Sequence, residues 1–494
     1  MPKNSTLPDV ESATQSSATT QPLLSGNFYG TTTSSQLVQF AHPAPDLPVL
    51  NQLTLNAKEF LSQVTLKPEE TAIIGAQHIL ETTATLLGKF RELGFEIYIT
   101  GKCYSTCPSV LKTMENLGIH VWPGSKPKKL GEYQAACEKD IMTVLNAVEQ
   151  NRKIKNIIVL DDGGRFYEKI PPHFYMRYLI GGVEQTRAGF YSHNVAALPN
   201  IPIVNVAQSA AKVMFESPFI ANAAVEQIVK VTGQLQNKIS YVMGIIGFGA
   251  IGRALADRLL QDGFSVCIFD KDPAAYKNYA NLKKVKIMPS IEHLFTYTKF
   301  IIGCTGQDST ASFEALNLNG FDRILVSVSS EDKEFKKLLK GIASKTILEA
   351  DPLATIRCHT THGNRLEILY GGFPINFSES AVKPFNVPSH LIAFTQGLLF
   401  SAVMQTLGLI EKAKDSDVAF IPASVMLDPE LQQYTLDNWY RTTKQDELPR
   451  DLIAKFIADK TFVVANSKGL YEEGEGRCKY ALTCVPSKKL TAKL

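Results

Sequence analysis

An apolar run over residues 242–246 leads straight into glycines at 247, 249 and 252. The spacing is G-x-G-x-x-G. A helical pattern follows over 253–261, Gly263 stops it, and a second apolar run, 266–269, ends on Asp270. Few folds accommodate that order. Strand, tight glycine turn, helix and second strand make a parallel β-α-β unit. Gly247 permits the sharp turn, Gly249 leaves the backbone bare for a close ligand, and Gly252 lets the helix pack against the strand. The helix start offers unpaired N–H groups and the positive end of the helix dipole, both suited to phosphate oxygens. Asp270 is placed to accept hydrogen bonds from a ribose and to repel a 2′-phosphate. The stretch predicts an NAD site on Gly247, Phe248, Gly249, Ala250, Ile251, Gly252 and Asp270.

The whole chain, at 494 residues, is long enough for two or three domains. A net charge of +3 with no dense basic stripe argues against a nucleic-acid partner. Eight cysteines are scattered without CxxC pairs, which suits idle thiols in a reducing compartment. No metal site is expected, the pair His359 and His362 included. The first residues lack the apolar core of a secretory signal. The greasy stretch 394–410 is broken by Thr395, Gln396, Gln405 and Thr406, so it reads as a buried helix. A soluble cytoplasmic protein with no membrane partner is expected.

Residues 1–50 are rich in Ser, Thr, Gln and Pro and predict a flexible leader. Over 68–93 the spacing of Ile73, Ile74, Ile79, Leu80, Leu86 and Leu87 predicts a helix, ended by Gly94. Strands at 95–100, 119–122 and 156–160 alternate with helices at 110–117 and 133–148. The last strand ends in Asp161-Asp162-Gly163-Gly164. A helix over 218–232 enters the glycine turn. Beyond Asp270, strands at 284–288, 300–303, 324–328 and 347–348 alternate with helices at 291–297 and 335–339. The fold class is α/β: two doubly wound Rossmann-like domains plus a C-terminal extension. The expected boundaries are 51–217 for a substrate domain, with 377–411 returning to it, 218–376 for the NAD-binding domain, and 412–494 for the extension. Ligands sit at the carboxyl ends of strands in such sheets, which marks Asp162.

Motifs on both sides of the glycine turn narrow the choice. VLDDGG stands at 159–164, GGVEQTRAG at 181–189 and IPIVNVAQSAAKVMFES at 201–217. CTG follows at 304–306 and GGFPINF at 371–377. This order resembles S-adenosylhomocysteine hydrolase across about residues 66–426. The resemblance implies a resident NAD at which a ribose 3′-hydroxyl is oxidised, a thiol is eliminated, water adds, and the hydride returns. It implies catalytic roles for His78, on the family's first helix, for Asp162 and for Lys212. Lys212, with lowered pKa, would be the base at the 3′-hydroxyl, and the other two would move protons at C5′. It also implies Thr186, Thr305, Gly306 and Asn376 beside the cofactor, a small-molecule substrate, and a homo-oligomer.

The chain departs from the family pattern around the substrate. Gln185 stands where the family has a Glu, and Leu80 and Thr82 replace a Thr and a Glu that anchor substrate. Ser330 and Val387 stand in place of two histidines. Arg187 puts a charge where small hydroxyls meet the nicotinamide; either it takes an anionic group or it fills vacated space. The expectation is an NAD-holding relative with a remodelled site, acting on or binding a nucleoside or thioether-type molecule. Efficient S-adenosylhomocysteine hydrolysis is not expected. Two alternatives stay open: a non-catalytic, NAD-responsive binding protein, and an NAD-dependent 2-hydroxyacid-type dehydrogenase.

Overall fold

Two seven-stranded sheets carry the described residues. The computed structural model describes residues 42–190, 201–232, 242–313, 315–343, 351–378, 387–415 and 424–443. Most of the expected leader, the expected strand at 347–348 and the chain beyond residue 443 lie outside them. Residues 42–50 do not belong to a flexible leader, because Leu47 and Val49 are already buried around the start of a helix, Pro48–Leu61.

The first sheet contains β1 (Thr71–Ile79), β2 (Glu96–Thr106), β3 (His120–Trp122), β4 (Asn156–Asp161), β5 (Leu179–Glu184) and β6 (Ile203–Asn205). The second contains β7 (Val242–Ile246), β8 (Ser265–Phe269), β9 (Val285–Ile287), β10 (Phe300–Gly303), β11 (Arg323–Ser327), β12 (Ile356–His359) and β13 (Arg365–Ile368). A last short strand, β14 (Ser424–Met426), returns to the first sheet and pairs with β6. The orders are β14-β6-β5-β4-β1-β2-β3 and β12-β13-β11-β10-β7-β8-β9. All pairs are parallel except β12–β13. Both sheets are thus doubly wound, and each has its switch point between its first and fourth strands, β1/β4 and β7/β10.

Three sequence expectations are corrected. Residues 68–93 are not one helix: β1 comes first, and the helix Glu81–Glu92 follows. The run TAIIGAQHI is buried nearly throughout, as a central parallel strand requires, and it offers no polar face for a surface helix. Gly75 settles the point: a Cβ there would lie 1.8 Å from Leu160 O on β4. His78 therefore sits at a strand end, not on a helix. Second, the helix expected from 218 begins at Ala210 and holds Pro218 inside it, so Lys212 is helical and no domain boundary falls at 217. Third, the described part of the expected extension, residues 424–443, belongs to the first domain. β14 joins its sheet, and the helix Pro429–Thr442 buries Leu436 and Trp439 in its core.

The helix Ser389–Asp415 crosses that core through Phe394, Leu398, Phe400 and Val403. Among the described residues, Ser389–Glu411 is the one helix long and apolar enough to cross a membrane, and 94% of its most apolar window is buried inside the protein.

Candidate functional site

The carboxyl ends of both sheets face a shared seam. Leu80 and Tyr104 from the first domain pack in one apolar cluster with Phe248, Phe373 and Phe377 of the second. Tyr370 Oη donates to Tyr104 O at 2.6 Å, and Tyr133 N donates to Asp332 Oδ2 at 3.2 Å.

At the first switch point, His78 is the second-last residue of β1 and β4 runs into Asp162. His78 Nε2 lies 3.2 Å from Asp162 Oδ2, and its Nδ1 lies 2.5 Å from Ser105 Oγ. Its ring stacks on Phe377, with centroids 4.4 Å apart. Asp162 also accepts from Lys102 Nζ at 2.5 Å and from Gln185 Nε2. Lys102 is only 2% exposed, so three side chains converge on one buried carboxylate. Burial by itself raises a carboxyl pKa. Here Lys102 and then His78 outweigh it and hold Asp162 far below the usual carboxylate range. Burial likewise opposes charge on Lys102, but Asp162 overcomes it and raises the pKa. Burial lowers the His78 pKa against the pull of Asp162, so the imidazole is neutral at neutral pH. With Asp162 ionised, the tautomer assigned from this network puts the proton on Nε2. Nδ1 then accepts from Ser105.

The structure brings His78 and Asp162 together. Lys212 Nζ pairs with Glu216, one helical turn on. The Glu216 charge still reaches His78. Two polar atoms at the crevice are buried with no partner among the described residues, Tyr104 Oη and Gln185 Oε1. Such atoms call for an explanation, and a polar ligand supplies one.

A second layer ties the domains together. Arg165 grips Glu331 with two bonds, Nε to Oε1 at 3.1 Å and Nη2 to Oε2 at 2.6 Å. Lys333 Nζ lies 3.2 Å from the same Oε2. Glu331 holds a left-handed backbone, φ 62°, and its Oε1 lies 3.4 Å from where a Cβ on Gly163 would stand. Burial works against this carboxylate, yet Lys333 and Arg165 bring its pKa down to about 2.

The second switch point is built of backbone. Gly247 has φ +90°, and a Cβ on Gly252 would lie 2.1 Å from Gly247 O. Asp270 accepts from Phe248 N at 2.5 Å and from Asp272 N at 2.9 Å. Ala250 and Ile251 form the first turn of the helix Ala250–Gln261. Beside Asp270, a cleft of about 560 Å³ is lined by Phe269, Pro273, Tyr276, Ile287 and Met288 among others. On the other side of the same switch point, Thr305 and Gly306 follow β10. Both donate backbone N–H to Glu334, at 3.0 and 3.1 Å, and Glu334 also accepts from Ser329 Oγ at 2.7 Å. Burial pushes Glu334 up to about 7. Thr186 is held in the same way by Glu184, through its N and Oγ1, each at 2.7 Å. Asn376 is 2% exposed, in the turn Ile375–Phe377.

These features fit NAD. The glycine turn leaves room for a pyrophosphate, the helix start aims N–H groups at it, and the cleft beside Asp270 suits an adenine and its ribose.

Lys102, Ser105, Arg165 and Glu331 were not legible as site residues. Ending β2 at Thr100 puts Lys102 and Ser105 in a loop. The available signal was a lysine inside a run, 96–106, that otherwise continues as a buried strand.

By fold and site the chain is a two-domain α/β protein with an NAD-binding domain. The model of the NAD binding domain of 6-phosphogluconate dehydrogenase matches residues 242–336. An uncharacterized protein of Mycobacterium tuberculosis (strain ATCC 25618 / H37Rv) is 28% identical over 354 residues, covering 70% of this chain. The match spans 66% of that relative's length, just under two thirds. Adenosylhomocysteinase of Sulfolobus acidocaldarius is 24% identical over 214 residues, or 42% of this chain and 48% of that one. Among solved structures, 2-hydroxyacid dehydrogenase from Ketogulonicigenium vulgare Y25 has a TM-score of 0.36 at 11% identity, covering 69% of this chain and 96% of that one.

Proposed function

We propose that this chain is a divergent relative of adenosylhomocysteinase that holds NAD as a resident group. Its substrate crevice takes a nucleoside or thioether-type small molecule. The observation that carries this reading is the convergence of His78, Lys102 and Gln185 on Asp162 at the switch point of the non-cofactor sheet, with Tyr104 Oη and Gln185 Oε1 buried and unpartnered beside them. When bound, NAD supplies a hydride acceptor. The chain's own residues do the rest. Phe377 and Tyr104 wall the crevice from water, and neutral His78 exchanges a proton with a ligand that displaces Ser105 or Asp162 from one of its nitrogens. Lys212 and Glu216 form an ion pair from which a lysine base is released only when a ligand breaks it. A homo-oligomer in the cytoplasm belongs to the same proposal.

The second reading, NAD-dependent binding without turnover, is favoured by Gln185. Its carboxamide contacts Asp162 and cannot take up a proton. One experiment separates the two. The purified NAD-loaded protein is mixed rapidly with a panel of nucleosides and nucleoside thioethers while reduced-cofactor absorbance is followed. A transient that vanishes in Lys212→Ala supports turnover. Tight binding without any transient across the panel overturns it in favour of the binding protein.

A further inference from the structure

Arg187 lies in the first domain, at the start of the short helix Arg187–Phe190 after β5. Its guanidinium nevertheless reaches the glycine turn of the second domain. A Cβ built on Gly249 would lie 3.7 Å from Arg187 Nη1, and among the described residues, its chain neighbours aside, no other atom comes within 4 Å of that position. Gly249 is the glycine whose missing side chain lets a pyrophosphate approach the backbone.

A cation suits the charges at the turn. The residues 247–252, GFGAIG, contain no basic side chain, and Asp270 adds a negative charge next to them. Arg253, in the first turn of the same helix, acts electrostatically on Tyr279. Backbone N–H groups and the helix dipole offer only partial positive charge to a dianionic pyrophosphate. A guanidinium matches phosphate oxygens with paired donors.

We propose that Arg187 is a pyrophosphate-binding residue delivered across the seam, so that the first domain completes the NAD site of the second. The proposal rests on the NAD reading of the glycine turn. It also couples the two sites. Arg187 follows Gln185, which donates to Asp162, and Thr186, which is fixed by Glu184. An anion on Arg187 therefore anchors the segment that carries a wall of the substrate crevice.

The test is calorimetric titration of the nucleotide-free full chain with NAD and ADP-ribose, beside urea denaturation, for the wild type, Arg187→Ala and Arg187→Lys. The expected result is a loss of roughly 10- to 100-fold for NAD and for ADP-ribose in Arg187→Ala, the worth of a charge-assisted bond. Arg187→Lys falls between, the urea midpoint stays unchanged, and the salt dependence of NAD binding becomes shallower in Arg187→Ala. NAD and ADP-ribose affinities equal to the wild type's overturn the role of Arg187 alone. A urea midpoint that falls along with the affinities also overturns it, since that marks general damage to the domain. A wild type that binds neither NAD nor ADP-ribose overturns the cofactor reading beneath it.

Discussion

The two sheets share the order of their first five strands and differ in what fills the switch point. In the second domain the crevice between β7 and β10 is lined by backbone: Gly247, Gly249 and Gly252 keep it bare, and the helix start supplies donors. In the first domain the crevice between β1 and β4 is filled by side chains, with His78, Lys102 and Gln185 around Asp162. Each domain has a buried glutamate that ties down the turn after its fourth strand. Glu184 accepts from Gly163 N and Gly164 N at 3.1 and 2.9 Å, and Glu334 accepts from Thr305 N and Gly306 N. The same scaffold thus yields one site that recognises a phosphate through its shape and dipoles, and one that places ionised groups in a dry crevice. The first tolerates little change in backbone volume, and the second little change in charge.

Breaking the charge cluster carries the largest cost. Lys102→Met leaves Asp162 buried without its strongest partner and is expected to destabilise the protein by roughly 3–5 kcal/mol in urea denaturation. Lys102→Met combined with Asp162→Asn recovers most of that loss, because no unpaired charge remains. A single variant as stable as the wild type would show the crevice to be more open to water than its 2% exposure at Lys102 implies.

Next comes the tie between the domains. Glu331 has its pKa lowered from 4.5 to about 2. A carboxylate lowered on folding stabilises above its unfolded value, and that stability is lost as pH falls through its folded value. Wild type should exceed Glu331→Gln by about 3 kcal/mol at neutral pH, and the gap should close as pH falls from 4.5 toward about 2. A constant gap across that window would assign the difference to packing.

Backbone volume gives the third test. A Cβ on Gly252 would meet Gly247 O at 2.1 Å, so Gly252→Ala must displace the turn. NAD affinity should fall about 100-fold by calorimetry. The urea midpoint should move less than for Lys102→Met, since no buried charge is exposed.

The contrast also explains what could be read in the sequence. The backbone site is local. Its glycines, its helix and Asp270 lie within thirty residues, and each is the residue type its backbone position demands. The side-chain site is assembled from β1, β2, β4 and the segment after β5, and no short pattern joins Lys102 to Asp162. His78 and Asp162 entered through a family resemblance, and the spacing around His78 pointed to the wrong element. Ile73 and Ile74 fit either a helix face or a fully buried strand, and only the packing of Gly75 against β4 decides. Glu331 was hidden for a different reason. Its role depends on a left-handed backbone at a non-glycine residue and on Arg165 from the other domain.

The smallest expected effect concerns Asp270, which combines both modes of recognition. Its carboxylate caps the glycine turn by accepting from Phe248 N and Asp272 N, and its charge stands at the mouth of the adenine-side cleft. Asp270→Asn keeps the shape and one acceptor oxygen but removes the charge. One backbone N–H then loses its partner, at about 1 kcal/mol. Lys271, which also lines the cleft, is left as the nearby charge. The ratio of NAD to NADP affinity should fall by roughly tenfold, mostly through tighter NADP. If the ratio stays fixed while both affinities fall together, Asp270 acts only as a turn cap, as Glu334 does beside it. The second domain would then owe its cofactor choice to the glycine turn and the cleft wall, with no selecting charge of its own.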